Sequence, residues 1–338
     1  MAERARKQGQ AVTAAGESHA KVALKAQREA LGEALVRLGA EHKNMIVLSP
    51  DVSLSTRSIV FKEAYPDRFV CTGIAEQNTL GLAAGLASWG YVPVVALYAV
   101  FAAGKAVDQV INSIAYPNLN VKIVGTHGGI NVGPDGPSHQ AISDLGVMRS
   151  IPNMAVLTAG DASEVEPALR AALQHPGPVY LRLERAPVPM LHVANQPYRL
   201  GKGIVLREGM DITIIGIGSM VSQGLQAADQ LAAQGISARV INMRSLKPID
   251  SGLILRSAAE TAGIVTAEDH NCYGGLRSAV AEVLAAGGEA PLRYVALEDC
   301  FAESGACESL RCAYGLDAQH IVQACLELWQ GVSRGGRL

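Results

Sequence analysis

From residue 21 onward, short β-branched runs alternate with Ala- and Leu-rich stretches of helical period, and that alternation confines the chain to parallel α/β layers. The period predicts helices over 21–38, 76–89, 104–115 and 162–174, with strands at 45–49, 69–72, 92–98, 121–126, 155–158 and 179–183. A second set follows, with strands at 212–217, 238–242, 263–267 and 292–296 and helices over 223–234, 250–261, 275–285 and 318–329. No solenoid repeat or low-complexity tract interrupts the pattern.

Between the two sets the period lapses, and Pro187, Pro189 and Pro197 mark a surface connection. The expected organisation is a flexible tail over 1–20, a first domain over 21–185, a linker over 186–203 and a second domain over 204–330. A length of 338 residues agrees with two domains at roughly 150 residues each. With 49% hydrophobic and 18% charged residues the chain is interior-rich and globular, and its net charge of −2 offers no footprint for nucleic acid. The most apolar stretch, 91–104, is too short for a bilayer and contains Pro93, so no membrane span is expected. The first residues include Glu3 and Glu17 and lack the apolar core of a secretory signal, which favours the cytoplasm. Six cysteines show neither CxxC nor a His partner at zinc spacing, which points to reduced thiols and no metal set. Low charge has two readings: a large core, or a surface covered by another chain, since charge is depleted at interface centres.

Three segments invite chemistry. Gly216-Ile-Gly218 follows a strand and opens a helix, but Val221 stands where a dinucleotide fingerprint needs its third glycine, and Arg239 and Asn242 stand where the acid would be. A tight strand-to-helix turn accounts for it better. The loop from Gly125 to Gln140 follows an apolar strand and combines glycines, which let backbone approach a ligand, with His127, Asp135 and His139. Glu76 sits in Gly73-Ile-Ala-Glu-Gln-Asn78, ahead of a helix in which Gly81 and Gly85 each cost about 0.8–1 kcal/mol relative to Ala. The acid by itself would suit the helix macrodipole. Close packing against another backbone would explain the lean helix.

Leu48-Ser-Pro-Asp51, Gly73-Ile-Ala-Glu-Gln-Asn78, Ala84-Gly-Leu-Ala87, the 126–140 loop, Met148-Arg-Ser-Ile-Pro-Asn153, Gly177-Pro-Val-Tyr-Leu-Arg182 and Glu268-Asp-His270 with Gly274-Gly275 together resemble the C-terminal two-thirds of transketolase. The resemblance runs in order and spacing over about residues 21–330. It implies two three-layer α/β/α domains with mostly parallel sheets, a pyrimidine-binding domain followed by the transketolase C-terminal domain, and thiamine diphosphate as cofactor. The implied activity is transfer of a two-carbon ketol unit from a ketose to an aldose, usually phosphorylated, within carbohydrate metabolism.

Carried over by position, Glu76 resembles the acid that shares a proton with N1′ of the aminopyrimidine and so activates the cofactor. Asp51 matches an acid near the thiazolium, and Tyr98 and Phe101 the aromatic pair that cradles the pyrimidine. His139 resembles the histidine that bonds the hydroxyls of the transferred unit, and Asp135 the acid that reads the sugar's α-hydroxyl. Ser55, His127 and Arg185 match groups that hold the acceptor's far end, commonly a phosphate. Two departures stand out: Gly104 replaces a third pocket aromatic, and Ser138 replaces the usual Thr.

The family's diphosphate-binding domain carries a Gly-Asp-Gly turn and an Asn that ligate Mg²⁺. Gly160-Asp161-Ala162 fails at its third position, and Asp135-Gly136 lies inside the substrate loop. The resemblance therefore implies one subunit of a split transketolase, with Mg²⁺ and diphosphate held by a separately encoded partner in an α₂β₂ heterotetramer and with self-association through its own domains. Alternatives are the β subunit of a 2-oxo-acid dehydrogenase, a 1-deoxyxylulose-5-phosphate-synthase-like enzyme, or a non-catalytic scaffold.

Overall fold

The computed structural model describes residues 23–191 and 197–334. The predicted tail over 1–20 and residues 192–196 of the predicted linker lie outside the described residues. The chain enters on β1 (Leu24–Ala26) and α1 (Gln27–Glu41), then forms β2 (Met45–Ser49), short helices α2 (Ser53–Thr56) and α3 (Ile59–Ala64), β3 (Phe69–Cys71), α4 (Glu76–Ser88) and β4 (Val92–Tyr98). Two π-helical runs, Phe101–Lys105 and Gln109–Ala115, lead to β5 (Lys122–Thr126), α5 (Asp144–Ser150), β6 (Ala155–Thr158), α6 (Val165–Gln174), β7 (Val179–Arg182) and β8 (Pro187–Pro189). Then come β9 (Ile204–Arg207), β10 (Ile212–Gly216), α7 (Met220–Ala232), β11 (Ala238–Asn242), β12 (Ser245–Lys247) and α8 (Ser251–Glu260). β13 (Ile264–Asn271), α9 (Leu276–Gly287), β14 (Leu292–Leu297), α10 (Cys307–Ala313) and α11 (Ala318–Arg334) complete the order.

Seven strands build one sheet in the order β12-β6-β7-β5-β4-β2-β3, parallel except where β12 meets β6. Five build another, β14-β13-β10-β11-β9, parallel except for the edge strand β9. The expected α/β class with mostly parallel sheets is the observed one. Val94, Val95, Ala96 and Leu97 are buried in succession, as in a strand covered on both faces. On one face Leu31, Ala34, Leu35 and Leu38 of α1 pack at helical spacing against Val47, Val94, Val124 and Leu157. On the other, Leu80, Ala83 and Ala84 of α4 join Leu48, Val95 and Leu97.

Three local expectations give way to long-range contacts. The helix expected over 21–38 begins only at Gln27, because Leu24–Ala26 pairs antiparallel with Pro187–Pro189 at the start of the predicted linker. The helix expected over 104–115 is two π-helical runs, opened by bonds such as Ala106 N–H to Phe101 O at 3.0 Å. Ser245–Lys247, not expected as a strand, leaves the second half of the chain to cover the edge of the first sheet, where Lys247 Nζ donates to Arg149 O at 2.9 Å.

Candidate active site

Parallel strands place their carboxyl ends on one edge of the sheet, where open α/β folds bind ligands. The segments that leave β2, β3, β4, β5 and β7 there carry Asp51 and Ser55, Glu76, Tyr98 and Phe101, His127 to His139, and Arg185 in turn. Strand order alone thus gathers residues far apart in sequence.

Glu76 is the first residue of α4, at the helix end whose dipole favours an anion, and its side chain is only 4% exposed. Its Oε2 lies 2.5 Å from Lys105 Nζ. Phe101, at the start of the same π-helical run as Lys105, stacks on Tyr98 with centroids 5.8 Å apart and planes inclined by 18°. Tyr98 also lies 4.0 Å from the His127 ring. The His139 ring meets Tyr98 and Phe101 edge-on at 5.9 and 5.5 Å. Four residues predicted from the sequence therefore share one ring cluster, and Lys105 links it to Glu76.

The glycine-rich loop is fixed by the other sheet. Gly129 has φ +74°, and a Cβ there would fall 2.1 Å from Asp269 Oδ2. Asp269, on β13, accepts the N–H groups of Ile130 and Asn131 at 2.8 and 3.2 Å. Burial, then the charge of Glu184, raises the Asp269 pKa, while Arg182 opposes the shift. Further along, Gln140 Nε2 donates to Glu303 O at 3.0 Å and Cys307 Sγ donates to Asn131 O at 3.3 Å.

His127 is buried at φ +62°, an uncommon conformation outside glycine, with Nδ1 2.9 Å from Thr126 Oγ1. Burial, reinforced by the charges of Arg185, Arg28 and His139, pushes its pKa down to about 3. At neutral pH this imidazole is uncharged, so it can meet an anion as a hydrogen-bonding group but not as a cation. Arg185 donates to Val132 O at 2.5 Å and stands 3.9 Å from Asp135 Oδ1. Ser55 offers its backbone carbonyl to Arg28 Nη1 at 3.2 Å. Asp51, at φ +63°, receives a long contact from Cys71 Sγ at 4.0 Å.

Lys105 and Arg28 were not anticipated from the sequence. Each carried a signal: Lys105 follows Gly104, where the resemblance places an aromatic, and Arg28 is a cation in the first turn of α1, against the helix dipole. The Nε of Arg28 is buried without a hydrogen-bond partner among the described residues, while its Nη1 donates to the Ser55 carbonyl.

The remaining motifs are structural. Glu184 Oε1 accepts the Ser219 N–H at 2.7 Å and would lie 2.0 Å from a Cβ at Gly218, so the chain's own carboxylate fills the Gly216–Gly218 turn. Asp161 caps the short helical turn Ala162–Glu164 by accepting from Ser163 N and Glu164 N at 2.8 and 3.2 Å. Glu268 caps α9 through Leu276 N and Arg277 N at 2.6 and 2.8 Å. Gly81 and Gly85 leave room beside α4: among the described residues, a Cβ at either would meet no atom within 4 Å beyond the helix's own backbone. Among the described residues, no group of three or more His, Cys, Asp or Glu could hold a metal, and no helix is long and apolar enough to cross a membrane.

The sequence matches the family models for the transketolase pyrimidine binding domain over residues 24–190 and the transketolase C-terminal domain over 201–321. It is 40% identical to a putative transketolase C-terminal section of Methanocaldococcus jannaschii, over 90% of this chain and 96% of that protein. It is 39% identical to the 6-deoxy-6-sulfo-D-fructose transketolase subunit SqwH of Clostridium sp. (strain MSTE9), over 89% and 94%. A solved split gene transketolase, described as an inactive β4 tetramer, superposes with a TM-score of 0.82 at 45% identity and covers 90% of this chain and 98% of that one. With both family models and these near full-length similarities in agreement, the chain belongs to the transketolase family and carries its pyrimidine-binding and C-terminal domains.

Proposed function

We propose that this chain is one subunit of a split, thiamine-diphosphate-dependent transketolase that moves a two-carbon ketol unit from a ketose to an aldose. The observation that carries this reading is the buried Glu76 carboxylate at the head of α4, linked through Lys105 to the Tyr98, Phe101, His127 and His139 rings. These residues fit an aminopyrimidine. An acid stands ready for a ring nitrogen, aromatic faces stand ready for stacking, and a Cβ at Gly73 or Gly104 would meet no atom within 4 Å.

When bound, thiamine diphosphate supplies the carbon nucleophile that takes up the ketol unit. Glu76 holds the proton shared with N1′, and Tyr98 and Phe101 orient the ring. Asp51 balances the thiazolium charge. His139 and Asp135 bind substrate hydroxyls. Arg185, Arg28, Ser55 and neutral His127 hold the far end of the sugar, whose anionic group is a phosphate or, as the name of the Clostridium relative suggests, a sulfonate. We assign Mg²⁺ and the diphosphate to a partner subunit. The partner and a second copy of this chain would cover the face that α4 shares with the second π-helical run, where Leu82, Trp89, Tyr91, Ile111 and Tyr116 are exposed beside the open glycines. An α₂β₂ assembly satisfies both contacts.

The test is a ketol-transfer assay with thiamine diphosphate, Mg²⁺ and the partner, on wild type and Glu76→Gln. We expect the variant to lose more than tenfold in rate, that is, more than about 1.4 kcal/mol of barrier. A smaller loss would remove Glu76 from its role, and full activity without the partner would end the split-enzyme reading. Decarboxylation of pyruvate or oxidation of a 2-oxo acid in place of ketol transfer would move the chain to one of the other activities of this domain pair.

A further inference from the structure

Lys105 reaches into the pocket from solvent. Its side chain is 49% exposed, whereas that of Glu76 is 4% exposed, and its Nζ lies 2.5 Å from Glu76 Oε2. Glu76 is its one hydrogen-bond partner among the described residues, and its other near neighbour is the Phe101 ring, with the centroid 6.0 Å from Nζ. Half of the lysine side chain already faces solvent, and a Cβ at the neighbouring Gly104 would meet no atom within 4 Å, so the surroundings are open on that side. A buried carboxylate left without a cation or donor is costly, which accounts for the ammonium's inward turn toward Glu76.

The ammonium and a flat ring bonded to Glu76 compete for the same group. Both need a carboxylate oxygen, and the ring also needs the Phe101 face that Nζ approaches. We propose that Lys105 is a displaceable gate on Glu76, pairing with the acid in the cofactor-free chain and swinging into solvent when the aminopyrimidine arrives. The gate rests on the reading of Glu76 as the pyrimidine acid. Lys105 is then a positioning residue that sets cofactor affinity through Glu76, and by linkage the cofactor weakens the ion pair as much as the ion pair weakens the cofactor.

Two measurements test it. In the complex with the partner subunit, calorimetric titration with thiamine diphosphate and Mg²⁺ compares wild type, Lys105→Met, Lys105→Arg, Glu76→Gln and the Glu76→Gln/Lys105→Met double variant. Removing the ammonium in Lys105→Met is expected to tighten binding by roughly three- to thirtyfold, the range for a hydrogen-bonded ion pair with one exposed partner. Lys105→Arg, which keeps a cation with a better fork for the carboxylate, binds no tighter than wild type. In the Glu76→Gln background the methionine change has no effect. In the free chain, acylation of Lys105 followed by mass spectrometry is faster in Glu76→Gln than in wild type. A Lys105→Met variant that binds at or below wild-type strength, a tightening that survives Glu76→Gln, or equal acylation rates each overturn the gate. Failure of the wild-type complex to bind the cofactor at all overturns the functional reading itself, an outcome distinct from wild type and Lys105→Met binding alike.

Discussion

Asp269 Oδ1 lies 2.8 Å from the backbone nitrogen of Ile130, so an acid at the carboxyl end of β13 holds the glycine-rich loop that follows β5. The same residue offers its backbone carbonyl to Arg182 Nη2 at 2.7 Å, and Arg182 Nε pairs with Asp144 at 3.1 Å. The two sheets therefore meet in a buried polar seam, and the glycine-rich loop belongs to both. Asp269→Ala should lower stability by about 3–5 kcal/mol, the range for removing one member of a buried charged group. Urea unfolding measures this, and an effect below about 1 kcal/mol would mean that the seam does not hold the loop.

His127 gives the fold an acid limit. Its pKa is about 3 in the folded chain and about 6.5 unfolded, so between those values the unfolded state binds more protons. Its contribution is complete above about pH 6.5 and is lost as pH falls toward 3. In wild type, urea midpoints should fall across that window. A neutral His127→Gln variant should show a flatter dependence, and equal slopes in the two proteins would clear His127 of this role.

Gly85 is exposed in the middle of α4 with open space around it. In the free chain, Gly85→Ala should raise stability by up to about 1 kcal/mol through helix propensity alone. Gly85→Leu should leave the free chain folded yet weaken its association with other chains, because a larger side chain blocks close backbone approach. Sedimentation across a concentration series reads the second effect. Unaltered association would leave the lean helix without an explanation.

Arg28 and Arg185 flank His127 as charges, and Arg28 also binds the Ser55 carbonyl. Replacing Arg28 by Gln should raise KM for phosphorylated or sulfonated sugars by about 10- to 100-fold while changing KM for neutral sugars little. A KM rise equal for charged and neutral sugars would make Arg28 a structural group.

Truncating either stacking ring has a separate signature. Phe101→Ala should weaken cofactor binding by about 0.5–1.5 kcal/mol beyond lost area, the worth of an aromatic pair. The Tyr98–His127 contact should leave Tyr98→Ala weaker for both cofactor and substrate. Calorimetry with each ligand separates the two variants.

Strand periodicity made most of the architecture legible, because buried parallel strands such as Val94 to Leu97 must be continuously apolar whatever surrounds them. Order and spacing of motifs made the family and the ring residues legible as well: Tyr98, Phe101, His127 and His139 lie in segments whose place at the sheet edge follows from the alternation. Lys105 was missed although Gly104 before it departs from the family pattern, because an ion pair spanning 29 positions does not show in local sequence which acid the lysine meets.

By itself, the sequence determined that this chain forms parallel α/β layers, where the loops fall and which side chains those loops carry, since burial and backbone propensity act locally and periodically. Tertiary structure alone decided that Leu24–Ala26 is a strand, that Ser245–Lys247 closes the edge of the other sheet, that Asp269 clamps the loop and that Glu76 meets Lys105. Each of these depends on a partner brought near by the fold, and the energy of a buried charge or an unpaired strand edge is set by that partner and not by its neighbours in sequence.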